Sequence, residues 1–408
     1  MKPLGPIPAG FTSADGILCV GKVPVTRWLG DAGDTPLFVY SGELIRQRVA
    51  ALRAAMPERL SIHYAVKANP FCPVLELLAG LVDGFDIASG GELAMVRAAG
   101  IDPALVSFAG PGKRDRELEV AIAAGVTLNI ESEGEAARAR AIGERLGIAP
   151  RLAVRVNPSF DLKGSGMKMG GGAKPFGIDA ERVPALVRTI AGSDATFEGL
   201  HIFAGSQALD AGAIADTQAQ TLLLAAKLAE ESGVALPRCN LGGGFGIPYF
   251  AGDEPLDIGL IGERLQAQFV SLPDVLAGTQ FCIELGRYIV GEAGIYLTRI
   301  VDRKESHGEV FLVTDGGLHH QLAASGNFGT VVRRNYPLAI ATRFGAPTEE
   351  EASVVGCLCT PLDRLADKAL LPHAEVGDLV AVFCAGAYGA SASPAAFLGH
   401  EPAGEVLV

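Results

Sequence analysis

The chain has 408 residues, 49% of them hydrophobic and 20% charged, which suffices for one large core or two and excludes a disordered chain. Its net charge of −12 excludes nucleic acid and an anionic membrane surface as main partners, because both need a basic face. No apolar run approaches the roughly 18 residues of a membrane helix. Residues 1–20 lack the basic start and apolar core of a secretory signal, and the 7 cysteines (19, 72, 239, 282, 357, 359 and 384) are scattered without CxxC spacing. These features predict a cytoplasmic protein with reduced thiols, no disulfide framework and no metal site.

In chain order, the first 34 residues read as short strands and turns. A strand–helix rhythm then begins, with an apolar strand at 36–40 and a helix whose apolar face carries Leu44, Val49, Leu52 and Met56. It repeats as strands 61–66, 84–88, 105–109, 126–130, 151–156, 196–202 and 238–241, each followed by a helical pattern, the last at 258–270. Eight such units predict an α/β fold, a closed (β/α)8 TIM-like barrel over 35–275. From about 276 onward, runs rich in Val, Ile and Phe predict a C-terminal all-β domain over 276–408, which the strands of 1–34 are expected to join.

Within this frame, Ser61-Ile62-His63-Tyr64-Ala65-Val66-Lys67 is an apolar strand ending in one lysine, and Ala68-Asn69-Pro70 turns the chain. In a barrel the chemistry gathers at the C-terminal strand ends. Lys67 there reads either as a solvated lysine or as an amine in a partly dry pocket, its pKa lowered so that it condenses with an aldehyde cofactor. Leu241-Gly242-Gly243-Gly244-Phe245-Gly246 follows the last strand of the rhythm, and such glycines let backbone N–H groups close on a phosphate; a plain turn is the alternative. His201 to Gln207 closes the strand before it, with Ser206 able to donate a further bond. Glu284, on the apolar run Phe-Cys-Ile-Glu-Leu, needs a partner if buried: Arg287, or a protonated ring nitrogen.

Tyr64 to Asn69, Gly84 to Leu93, Gly205-Ser206-Gln207, Gly242 to Gly246, Glu284-Leu285-Gly286-Arg287, Cys359 with Asp363, and Gly386-Ala387-Tyr388 stand in the order seen in fold-type III pyridoxal-phosphate decarboxylases. Over nearly its whole length the chain resembles the branch that holds the diaminopimelate and ornithine decarboxylases. The resemblance implies pyridoxal 5'-phosphate bound to Lys67, with Glu284 keeping the pyridine nitrogen protonated and Asp86 beside Lys67 and the ring. It places Ser206, Gly243, Gly244, Gly286, Arg287 and Tyr388 around the phosphate, and makes Cys359 the acid that reprotonates the carbanion, reaching in from the second subunit of a homodimer. A carboxylate on the ring nitrogen makes the ring a full electron sink, which favours decarboxylation over racemisation.

The chain also departs from the pattern. Where the family has a ring-stacking histidine, this sequence has Phe203, with His201 two residues back on the same strand face. Where the ornithine and diaminopimelate enzymes carry an acid after the cysteine, it has Thr360. The stretch Asp315 to Ala323, with His319 and His320, lacks the family's arginine for a distal carboxylate. Asn327-Phe328-Gly329 and Val332-Arg333-Arg334-Asn335-Tyr336-Pro337 resemble instead decarboxylases found with exosortase and carrier-protein systems. That subgroup includes enzymes acting on an aminoacyl group tethered to a carrier, and Arg333 or Arg334 would meet the phosphate of the carrier's arm. Thr360, Asp363 and His319 are the remaining candidates for the substrate. The glycine-rich 163–174 segment reads as a mobile cover. The expected function is a decarboxylase of a free or carrier-tethered amino acid. A free diamino-acid decarboxylase (diaminopimelate, lysine or ornithine), a racemase or epimerase, and a non-catalytic relative are the alternatives.

Overall fold

The computed structural model describes residues 1–326 and 333–408. The chain forms two compact units, one of Val49–Gly246 with Leu256–Gly286, the other of Met1–Arg48, Ile247–Pro255 and Arg287–Val408. The sequence divides the chain at 34/35 and 275/276; the structure divides it at 48/49 and 286/287 and assigns 247–255 to the second unit.

The first unit is a closed barrel of eight parallel strands: Leu60–Ala65, Gly84–Ile87, Val106–Phe108, Thr127–Ile130, Arg151–Asn157, Thr196–Ile202, Arg238–Gly243 and Gln280–Leu285. Each pairs with the next, and the circle closes between Gln280–Leu285 and Leu60–Ala65. Because helices cover the outside and side chains fill the inside, strands such as Val106–Phe108 and Thr127–Ile130 are buried on both faces, polar residues included. Side-chain oxygens of Ser89, Ser132, Asp210 and Asp257 accept from the backbone N–H three residues on, which starts four of the outer helices where the strand signal stops. Among the described residues, no helix is long and apolar enough to cross a membrane.

The second unit is built on a mixed sheet. Its longest strand, Gly294–Ser306, pairs antiparallel with Leu37–Tyr40, Leu379–Val382 and Glu309–Thr314, and Glu309–Thr314 runs parallel to Glu350–Val355. Leu37, Val39, Ile295, Leu297, Leu379 and Phe383 form its core with Leu18 and Val20 from the N-terminal strands.

One strand assignment changes. The run at 36–40 was expected to open the barrel, but Leu37–Tyr40 belongs to the mixed sheet, and the eighth barrel strand is Gln280–Leu285. Both are short apolar runs buried on both faces, so neither records its partner. The count of eight survives while the frame moves by one: the glycine run follows the seventh strand and Gly205-Ser206-Gln207 follows the sixth.

Candidate active site

The first barrel strand ends at Ala65 and the chain turns through a 3-10 segment, Val66–Ala68. Val66 and Ala68 point into the core, which leaves Lys67 exposed at the strand's C-terminal end. Its Nζ lies 5.8 Å from the centre of the Phe203 ring, which follows the sixth strand directly. A side chain at Gly286 would meet Ala68 Cβ at 2.8 Å and the Ala65 carbonyl at 3.1 Å, so only glycine lets the lysine turn pass.

Glu284 projects from the eighth strand and is buried. Its described partners are His201, with Nε2 3.1 Å from Oε2, and Asn240, whose Nδ2 donates to Oε2 at 3.2 Å. Arg287, one of the two partners the sequence leaves open for Glu284, has Nη1 donating to Tyr249 Oη at 2.7 Å. Burial pushes the Glu284 carboxyl up, but the His201 ring outweighs this, with help from Lys67 and Arg155, and holds the group well below the usual carboxylate range. It is ionised at neutral pH. Asn240 also accepts from the Gly242 N–H at 2.8 Å, tying the carboxylate to the glycine loop.

On the other side of the lysine strand, Asp86 is buried and accepts from Ser107 Oγ, and Asn129 Nδ2 donates to that hydroxyl at 3.0 Å. His63 Nδ1 lies 3.5 Å from Asp86 Oδ2. Further round, Arg155 Nη1 donates to Glu131 Oε1 at 2.8 Å. Ser107, Asn129, Arg155 and Asn240 were not among the sequence candidates. Each is a polar residue inside an apolar barrel strand, which is the signal that would have found it.

The loops after the sixth and seventh strands interlock. Ala208 N–H donates to the Gly244 carbonyl at 2.9 Å and Gly246 N–H to the Ala208 carbonyl at 2.8 Å. A Cβ at Gly243 would collide with the Glu284 carbonyl, and Gly244, at φ +83°, would collide with the Gly205 carbonyl. The 163–174 segment, expected as a mobile cover, is instead bonded to this loop: Met167–Lys168 pairs antiparallel with Gly205–Ser206, and Gly166 N–H donates to the Gln207 carbonyl at 3.2 Å.

The second unit holds the other candidates. Arg287 is half-buried against the rings of Tyr249 and Tyr388, at 5.5 and 4.7 Å from their centres, and its guanidinium is held firmly protonated. Tyr388 sits at φ +56°, a left-handed backbone that costs a tyrosine about 1–3 kcal/mol. Cys359 is exposed and Thr360 half-buried on the loop between strands Glu350–Val355 and Arg364–Leu371. Asp363, expected at the substrate, is turned inward: its two oxygens accept from Leu318 N–H at 2.7 Å and Leu358 N–H at 2.9 Å. Its work in the chain is to shape the cysteine loop. His319, another substrate candidate, is wholly buried beside His320 and His400. Arg333 Nη2 donates to the Leu362 carbonyl at 3.2 Å, and Arg334 lies 3.8 Å over the Phe250 ring. Asn327, Phe328, Gly329 and Val332 lie outside the described residues.

A lysine beside an aromatic ring, an ionised carboxylate facing the same barrel end and a glycine phosphate loop match a known architecture. Residues 42–291 match the family model described as pyridoxal-dependent decarboxylase, pyridoxal binding domain. The chain belongs to the pyridoxal-dependent decarboxylases. It is 36% identical over 380 residues to L-glutamyl-[BtrI acyl-carrier protein] decarboxylase of Niallia circulans, covering 92% of this chain and 89% of that one. It is 33% identical over 401 residues to diaminopimelate decarboxylase of Archaeoglobus fulgidus, covering 98% and 93%. The crystal structure of Helicobacter pylori diaminopimelate decarboxylase complexed with L-lysine superposes with a TM-score of 0.82 at 28% identity, covering 94% of each chain.

The cofactor of this decarboxylase family is pyridoxal 5'-phosphate, and the residues at the barrel mouth fit it. His201 Nδ1 and Asp86 Oδ2 are buried polar atoms without a hydrogen-bond partner among the described residues. The glycine loop is bare of side chains where a phosphate needs backbone amides.

Proposed function

We propose that this decarboxylase removes the α-carboxylate of an aminoacyl group held on a carrier protein as a thioester, a glutamyl group above all. For the α-carboxylate to leave, such a group must be attached through its side-chain carboxyl. The thioester is neutral, so the substrate has no distal charge to anchor. Thr360 is the observation that carries this reading: a free diamino acid would face its hydroxyl where the relatives with that substrate resemble one another in offering a carboxylate. The lost charge-assisted bond costs on the order of 1.5–3 kcal/mol. The Niallia circulans relative, named for its action on a glutamyl carrier protein, supports the same conclusion. Arg333, whose Nη1 is buried without a partner among the described residues, supplies a cation for the phosphate of the carrier's arm, and exposed Arg334 a second.

When bound, the pyridoxal ring supplies a sink for the electron pair that the departing carboxylate leaves behind. Lys67 would anchor the cofactor, with Phe203, after the sixth strand, and Asp86, on the second, as the residues that would hold its ring. Ionised Glu284 keeps a proton on the ring nitrogen, with His201 and Asn240 holding the carboxylate in place. By resemblance, Ser206, Gly243, Gly244, Gly286, Arg287 and Tyr388 would surround the phosphate, the serine through its hydroxyl and the glycines through backbone amides. Cys359 delivers a proton to the α-carbon after carbon dioxide leaves, and by the same resemblance it serves the barrel of a second copy in a homodimer.

The test is carbon dioxide release from glutamyl-loaded carrier protein beside free glutamate, diaminopimelate, lysine and ornithine. Release from the loaded carrier alone is expected; comparable release from a free amino acid would overturn the tethered reading.

A further inference from the structure

His319 is wholly buried, yet neither ring nitrogen has a hydrogen-bond partner among the described residues. An imidazole buried in this way forfeits on the order of 1–3 kcal/mol for each unsatisfied group. Its neighbour His320 shows how such a ring is ordinarily satisfied, with Nδ1 3.1 Å from Tyr296 Oη and Nε2 2.9 Å from the Glu401 carbonyl. What His319 has beside it instead is a thiol and a second imidazole. One ring nitrogen of His319, Cys357 Sγ and one ring nitrogen of His400 lie within 4.8 Å of one another, and Cys357 Sγ is 4.0 Å from His400 Nε2.

We propose that His319, Cys357 and His400 bind a zinc ion. Two imidazoles and one thiolate are ligands that zinc favours, and bond lengths of about 2.0–2.3 Å draw such donors together by a small movement from the present spacing. Three protein ligands leave a fourth position for water. Binding displaces the proton of the Cys357 thiol to solvent, and the S–H bond is replaced by a sulfur–zinc bond with no change of oxidation state. His400 and Cys357 are half-buried, which gives the ion an entry path, while His319 forms the floor.

The ligands are far apart in sequence, Cys357 and His400 by 43 residues, which is why no ligand spacing announced them. Cys357 stands two residues before Cys359 on the loop that Asp363 shapes. A zinc ion there staples that loop to the 317–320 segment and to His400.

The experiment is zinc binding by the holoenzyme, stripped with a chelator, dialysed against micromolar zinc and assayed for metal content, with cobalt(II) as a spectroscopic probe. One zinc per chain is expected, and cobalt should give a thiolate-to-metal charge-transfer band. Cys357→Ala and His400→Ala should each weaken zinc binding beyond the roughly 10- to 100-fold that loss of an outer-shell partner costs. Cys72→Ala, at a half-buried thiol outside the proposed ligand set, should leave it unchanged. Because His319→Ala alters a buried position, the two half-buried ligands carry the test. No retained zinc in the parent protein, or equal retention in Cys357→Ala and His400→Ala, would overturn the proposal. Neither readout depends on which amino acid is decarboxylated.

Discussion

Single residues carry more than one duty here, and their environments predict what replacement does. Glu284 is held below its ordinary value of 4.5, so its contribution to stability is complete above that value and drains away as pH falls toward the folded value. The Tm difference between the parent and Glu284→Gln should therefore be largest above about pH 5 and shrink in acid. A difference that stays constant down to the acid limb would mean that His201 does not stabilise the carboxylate. Raised carboxyls such as Glu92 and Glu135, where burial dominates, act in the opposite direction and set the remaining slope. Asp363→Asn places an amide N–H against one of two backbone donors and should cost about 1–3 kcal/mol. Calorimetry should show the drop, and turnover should fall while the cofactor's visible absorbance stays intact, because the loop bearing Cys359 loosens and the barrel does not change.

Among the elements, the loops after the sixth and seventh barrel strands behave as one object. Gly243 touches the backbone of the eighth strand, so Gly243→Ala cannot be relieved by moving a side chain. We expect overpacking of about 1–3 kcal/mol and at least tenfold weaker cofactor binding, read by titrating the visible absorbance of the pyridoxal form. A variant that binds pyridoxal phosphate as the parent does would remove this loop from the phosphate site. The 163–174 segment illustrates a limit of composition: its glycines suggest mobility, but its backbone is paired with Gly205–Ser206.

At the scale of the whole molecule, the assignment of Cys359 to a second copy gives a test of the dimer. Lys67→Ala and Cys359→Ala chains, each inactive or nearly so, should on mixing recover about a quarter of parental activity, because random pairing of a two-fold dimer restores one intact site in half of the particles. No recovery, with subunit exchange verified by mass, would place Cys359 in the service of its own barrel.

Motifs whose demands are local were legible in the sequence. Lys67 before Ala-Asn-Pro, the glycines of 242–246 and Glu284 in an apolar run each declare a backbone or burial requirement within a few residues, and the strand–helix period declared the barrel. What depends on partners through space was not. Leu37–Tyr40 and Gln280–Leu285 exchanged roles because short apolar runs look alike until a neighbour chooses them. Asp363 turned from substrate to loop and His319 toward Cys357 and His400, because side-chain partners are chosen by distance in the fold and not by distance along the chain.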